Sequence, residues 1–341
     1  MPNGQVVEVE ELVKVYPGGT KAVAGIDFAV AQGELVGFLG PNGAGKSTTM
    51  KILATLLKKT SGRVRVAGHD VDRDPTAIRR SIGFAMQEVG LDEVTPGREF
   101  LVNQGLLYGL PMKEAKKRAD ELLELVGLTS VGNRKVGTYS GGMRRRIDLV
   151  AALIHRPPLV FLDEPTSGLD PQSRLAIWEH LEKLNKDGVS MFLTTQIMEE
   201  ADRLCPRIAI IDKGKIVAEG SPRGLKQEVG GDVITVNLAA TDGRGAQVEQ
   251  AVALAKERQY VLGVNASGNR LTITVKDGGA AVPDLLRLFN EHQVSVSDLA
   301  VSSPTLDDVF LKHTGRKIRA GEAGGDEANT SFRPFLGLGK K

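Results

Sequence analysis

GPNGAGKST, residues 40–48, carries its glycines, lysine and hydroxyl at the spacing G-x-x-x-x-G-K-S/T of a loop that cradles a polyphosphate. Before it, Leu35-Val36-Gly37-Phe38-Leu39 is a short continuous apolar run, the mark of a strand buried on both faces. After it, residues 46–57 place apolar side chains at helical spacing with no Gly or Pro. The order strand, loop, helix is the context in which the spacing has meaning. Gly40, Gly43 and Gly45 let the backbone curl so that successive N–H groups point inward, and the helix adds its positive end at the same spot. Lys46 is expected to reach the β- and γ-phosphates, and the Ser47 hydroxyl to be a ligand of the Mg²⁺ that bridges them.

The chain has 341 residues, 41% hydrophobic and 25% charged, a globular composition with room for two domains. Forty-four Lys and Arg against 42 Asp and Glu leave a net charge of +2, too balanced to argue for a nucleic-acid partner. The basic clusters Arg79-Arg80, Lys116-Lys117-Arg118 and Arg144-Arg145-Arg146 fall within helical patterns and read as solvated faces. Cys205 stands alone, so an internal disulfide is excluded, and it reads as a small buried residue in a reducing compartment. The sequence has no signal peptide and no run of about eighteen apolar residues, so any membrane role is expected to go through a partner.

Outward from the loop, residues 5–31 alternate like half-exposed strands around the turn Tyr16-Pro17-Gly18-Gly19. Tyr16 is either a ring for stacking on a base or an ordinary turn aromatic. A strand from Ile82 to Met86 ends in Gln87, whose amide could touch Mg²⁺ or an attacking water. A helical block follows, interrupted by Gly109, Pro111 and Gly127. Ser140-Gly141-Gly142 then opens a helix to about Ile154 and offers N–H groups and a hydroxyl to an anion, or serves only as an N-cap. Leu159-Val160-Phe161-Leu162 is another buried strand, ending in Asp163-Glu164. Asp163 is placed to hold Mg²⁺ through water, and Glu164 to orient and deprotonate the attacking water. Asp170 caps the helix that begins at Pro171, and a strand over 189–194 leads to Thr195-Gln196. Past a hairpin around Lys213-Gly214, the pair Gly230-Gly231 marks a boundary, and the next residues read as a βαββαβ module followed by a short helix from Ser303-Pro304. From Arg316 the composition turns to that of a disordered tail.

Together these motifs resemble the nucleotide-binding subunit of ATP-binding cassette (ABC) transporters. The resemblance rests on the phosphate loop, Gln87 as a Q-loop, Ser140-Gly141-Gly142 as a signature, Asp163 and Glu164 as a Walker B end, and a D-loop from Ser167 to Asp170. It implies an α/β fold of the P-loop NTPase class, with a RecA-like core, an N-terminal antiparallel β-subdomain and a helical insert at about 88–155, all within residues 5–229. A C-terminal α+β domain is expected at 232–315 and a tail at 316–341. The implied ligands are ATP and Mg²⁺. Gly40, Pro41, Asn42, Gly43, Ala44, Gly45, Lys46, Ser47 and Thr48 would hold the phosphates, Tyr16 the adenine, and Ser47, Gln87 and Asp163 the metal. Ser140, Gly141 and Gly142 would close on the nucleotide of a second copy arranged head to tail. Glu164, Gln196, Lys46 and Asp170 are the implied catalytic set. The signature reads YSGGM where LSGGQ is usual, and Gln196 stands where a His is usual. With TYSGGMRRRIDL, LTTQ and PTLDDVFLKHTG these departures resemble the daunorubicin-resistance subgroup of drug and lipid exporters.

The resemblance implies an ATPase subunit that drives export of an amphipathic drug or lipid through a separate polytopic permease, held peripherally at the cytoplasmic face of the plasma membrane. The alternatives are a soluble or regulatory ATPase of the same family, and an importer ATPase. An ATPase acting on ribosomes or DNA would need tandem cassettes or a long coiled coil, and the sequence has neither. Truncation after Val229 is expected to leave ATP binding intact but to lower cooperativity or transport.

Overall fold

A computed structural model of the chain describes residues 4–86, 90–239 and 244–315. Gln87 and the expected tail at 316–341 lie outside the described residues. The alternation near the start forms a long antiparallel pair, β1 (Gln5–Val15) and β2 (Lys21–Ala31), which turns through Gly18 and Gly19. The apolar run becomes β3 (Leu35–Leu39), buried at every position. Helix α1 (Lys46–Leu53) leaves the loop after it and ends short of the expected residue 57. Thr55 there swings to a φ of 61°, and the N–H groups of Leu56 and Leu57 both close on Lys51 O, a left-handed stop. β4 (Ser61–Val66) and β5 (His69–Asp70) complete an antiparallel sheet ordered β2-β1-β4-β5.

Helix α2 (Pro75–Ser81) feeds β6 (Ile82–Ala85). The helical block resolves into α3 (Gly97–Leu107), α4 (Met112–Leu125) and α5 (Gly141–Ala151), packed through Phe100, Leu101, Ala119, Leu122, Leu123 and Ile147. Then come β7 (Leu159–Asp163), α6 (Pro171–Lys186), β8 (Ser190–Thr195), α7 (Met198–Leu204), β9 (Arg207–Asp212), β10 (Lys215–Gly220) and α8 (Pro222–Val229). Helix α7 was not foreseen: it is a short piece whose first turn is acidic and whose buried residues include Glu200. The strands form a six-stranded sheet, β10-β9-β3-β8-β7-β6, parallel throughout except for the β9–β10 hairpin. Parallel neighbours need crossovers, which the helices supply. β3 sends Val36 and Phe38 into a core shared with the first sheet, where Phe28, Phe38, Phe161 and Phe192 meet ring to ring. Leu35 and Leu39 point the other way, into the core shared with the helices.

The third sheet contains β11 (Asp232–Leu238), β12 (Val261–Ser267), β13 (Arg270–Val275) and β14 (Val296–Ser302) in the order β12-β13-β11-β14. Helices α9 (Arg244–Lys256) and α10 (Gly278–Glu291) close a separate core around Ile234, Val236, Ile273, Leu285 and Phe289. The last helix, α11 (Leu306–Thr314), does not start at Ser303-Pro304: Thr305 caps it through a reciprocal pair of bonds with Asp308. Its apolar side, Leu306, Val309 and Phe310, leaves the C-terminal core and joins the large core of the first unit, packing with Leu225 on α8. The expected division at 232–315 therefore encloses a helix that packs on the other unit.

Candidate functional site

Sheet order decides where the chemistry meets. β3, β7 and β8 are parallel neighbours, with Leu39 beside Thr195 and Asp163 beside Thr194, so the residues after these strands gather at one edge. Gly43 and Gly45 take φ values of 77° and 109°. A Cβ on Gly40 would lie 2.2 Å from Ile211 O, and one on Gly45 2.4 Å from Ala22 O, so only glycine lets the loop pass. Gly45 is also the N-cap of α1, whose free first-turn N–H groups open onto the loop.

Lys46 is 4% exposed and donates to Gly40 O at 2.7 Å and Pro41 O at 3.0 Å. Its Nζ lies 3.7 Å from Glu164 Oε1. Burial lowers its pKa, and the charges of Glu164 and Asp163 partly oppose that. Ser47 Oγ donates to Asp163 Oδ1 at 3.0 Å, and the Thr194 hydroxyl donates to the same oxygen. A hydroxyl beside a carboxylate is a hard-oxygen pair of the kind Mg²⁺ accepts when phosphates and waters supply its other ligands. Among the described residues no group of three or more His, Cys, Asp and Glu side chains could hold a metal ion. The Ser47 hydroxyl and Asp163 carboxylate together fit an ion that arrives with a nucleotide. Glu164 follows at a φ of 45°, 5% exposed, its N–H bonded to Thr194 O at 3.0 Å.

The other expected residues surround this centre in part. Tyr16 OH lies 3.3 Å from Thr48 Oγ1, and Lys14 Nζ sits 5.2 Å from the ring centroid, so the ring stands at the edge of the loop helix. Gln196 is half-buried directly after Thr195, whose carbonyl accepts the Gly40 N–H at 3.2 Å. Ser140 is the N-cap of α5, accepting from Met143 N–H at 3.3 Å, and a Cβ on Gly142 would meet Ser173 Oγ of α6 at 2.5 Å. Asp170 caps α6 through Ser173 N–H at 2.9 Å, and hydrogen bonding to the Ser173 side chain and then to its N–H lowers the carboxyl's pKa. Ser140, Gly142, Ser173 and Asp170 therefore form a second locus, built on the starts of α5 and α6.

Thr194, Glu200 and Arg145 were missed. Thr194 reads as one more residue of a buried strand, yet its hydroxyl holds Asp163. Glu200, fully buried on α7, accepts from Thr166 Oγ1 at 2.6 Å and Trp178 Nε1 at 3.0 Å, and burial raises its pKa. The cluster Arg144-Arg145-Arg146, expected on a solvated face, sends its middle member inward. Arg144 donates to Gly137 O and Glu93, Arg146 to Val126 O, and Arg145 is 4% exposed. A buried glutamate and a buried arginine carry no periodic signal. Only the polar partners assembled in three dimensions single them out.

Comparison with known proteins gives a consistent result. The family model described as "ABC transporter" matches residues 23–167, and that described as "ATP-binding protein DrrA1-3-like, C-terminal domain" matches residues 220–314. The chain is similar to the daunorubicin resistance ATP-binding protein DrrA2 of Streptomyces coeruleorubidus, at 43% identity over 94% of this chain and 98% of that one. It is 38% identical to the linearmycin resistance ATP-binding protein LnrL of Bacillus subtilis, over 92% of this chain and all (100%) of the relative. Among solved structures it resembles cbiO1 of Clostridium perfringens, part of the ABC transporter complex cbiONQ, with a TM-score of 0.62 and 28% identity over 66% of this chain and 92% of that one. The dimeric ATP-binding cassette MJ0796, bound to ADP and Pi after hydrolysis, aligns with a TM-score of 0.58 and 29% identity over 63% and 98% of the two chains.

Proposed function

This chain belongs to the ABC transporter family, and on that premise we propose that it hydrolyses ATP to drive export of an amphipathic drug or lipid through a separate membrane permease. The observation that carries the reading is the convergence of Lys46, Ser47, Asp163 and Glu164 at the carboxyl edge of β3 and β7. No helix among the described residues is long and apolar enough to cross a membrane, so the permease is taken to be another chain. The relatives named for drug resistance support the cargo class, and the cassette placement is peripheral, on the cytoplasmic face.

In this reading residues 40–48 and the Lys46 ammonium hold the phosphates, and Tyr16 stacks on the base. Ser47 and Asp163, together with Gln87, would hold Mg²⁺, which would supply charge neutralisation to the phosphates. Glu164 accepts the proton of the water whose oxygen attacks the γ-phosphorus as the bond to the bridging oxygen breaks, giving ADP and phosphate. Gln196 orients the γ-phosphate. The second locus faces outward to serve a nucleotide held by a second copy, with Ser140, Gly141 and Gly142 as anion donors and Asp170 shaping the turn beside them. The cassette spans 5–229 with the insert at 88–155, and the βαββαβ unit that follows contacts the dimer or sets its rate.

The test is nucleotide binding and ATPase rate of two variants of the full chain. Glu164→Gln is expected to bind ATP and dimerise while turnover falls about a hundredfold or more, the usual contribution of a positioned base. Lys46→Ala is expected to lose binding. Glu164→Gln keeping more than about a tenth of wild-type turnover would overturn the assignment of the base.

A further inference from the structure

Arg145 has no part in the chemistry described so far. Its guanidinium reaches from α5 across to the end of β7. Nε donates to Pro165 O at 2.7 Å, and Nη2 donates to Asp163 O at 3.1 Å and to Glu164 O at 3.4 Å. Nη1 donates to Asp148 Oδ2 at 3.1 Å and to Met86 O, the last carbonyl before Gln87. A cation taken out of water is tolerated only where its charge and donors are met, and here most of the acceptors are backbone carbonyls. The carbonyls of residues 163, 164 and 165 are consecutive, and they span the residue at a φ of 45°. A side chain other than glycine keeps that left-handed backbone only where its surroundings over-determine it. Thr194 fixes the Glu164 N–H from the β8 side, and Arg145 fixes the carbonyls from the α5 side.

We propose that Arg145 is a positioning residue for ATP hydrolysis, which aims the Glu164 carboxylate by clamping the backbone of residues 163–165 and ties that aim to the helix carrying Ser140, Gly141 and Gly142. The inference rests on the reading of Glu164 as the base and of the α5 turn as serving the nucleotide of a second copy. In such a dimer one helix touches one nucleotide at its first turn and steers the hydrolysis of the other through Arg145. The guanidinium is a strut between the two sites. Lysine cannot replace it, because a single compact ammonium does not reach carbonyls on both sides of a planar fork.

The experiment measures ATP affinity, kcat and KM of the full chain for Arg145→Lys and Arg145→Gln, each alone and combined with Glu164→Gln, with thermal unfolding as the check on folding. The expected result is ATP affinity and KM within about threefold of wild type and kcat lowered about a hundredfold, the scale of a slightly misplaced reacting group. In the Glu164→Gln background the same substitutions should change the residual rate by less than about twofold, because a residue that acts through another has nothing left to aim. A loss that multiplies in the double variants, a parallel loss of ATP affinity, a wild-type rate in Arg145→Lys, or variants that do not fold would each overturn the proposal. If Glu164→Gln alone turns over like wild type, the base assignment fails first, and that outcome is read from the single variant.

Discussion

Asp148, the carboxylate beside Arg145, leaves a trace that can be titrated. Burial pushes its pKa up to about 6, and Arg145 only partly opposes the shift. In the unfolded chain the group titrates near 3.8, so between about pH 4 and 6 the folded state keeps a proton that the unfolded state releases. Stability therefore falls as pH rises through that window, and the whole limb is worth about 3 kcal/mol. Asp148→Asn should flatten it, as read from denaturant unfolding at a series of pH values; an unchanged limb would assign it to other groups. Gln196 makes the opposite kind of prediction, since a glutamine does not titrate. Gln196→Ala should slow hydrolysis modestly, and Gln196→His should add a new limb to the rate profile between about pH 6 and 7. A Gln196→Ala chain as inactive as Glu164→Gln would mean the residue does more than orient phosphate.

Among the elements, α11 is the one whose loss is felt far from its own position in the chain. Thr305→Ala removes half of its capping box and should cost about 1 kcal/mol. Phe310→Ala empties a fully buried site in the large core and should cost about 3–5 kcal/mol, with unfolding of the ATP-binding unit as the readout. How much of this was legible follows from the kind of signal each element sends. β3 is an apolar run that opens directly into the glycine loop, and β7 one that ends in Asp163, so the strands and the motifs at their ends could be read together. The stop of α1 at Thr55 could not, because a threonine in left-handed backbone contradicts its own preference and is imposed by the turn around Lys51. Nor could α7, whose buried Glu200 breaks the apolar pattern that would have marked it. The same limit hid Arg145. Triple arginine is compositionally a surface feature, and only the carbonyls of 163–165 explain why its middle member turns inward.

For the molecule as a whole, the chain leaves the large core at α8, builds the β11–β14 sheet, and comes back to the same core through α11, where Lys312 Nζ reaches Glu228 O. Truncation after Val229, expected from the sequence to leave ATP binding intact, would therefore uncover the apolar surface that Leu306, Val309 and Phe310 cover. That truncated chain is predicted to unfold at lower temperature or aggregate. Removing only residues 231–303 behind a short flexible linker should keep both the fold and ATP binding, as followed by thermal unfolding and nucleotide titration. If the truncation proved as stable as this internal deletion, α11 would contribute nothing to the first unit. The return of the chain has one more consequence. A single proteolytic cut inside the βαββαβ unit does not release the last helix, because both sides of the break remain anchored in folded cores. The nicked protein should migrate as two fragments under denaturing conditions and as one native species in solution, and fragments made separately should reassemble into it.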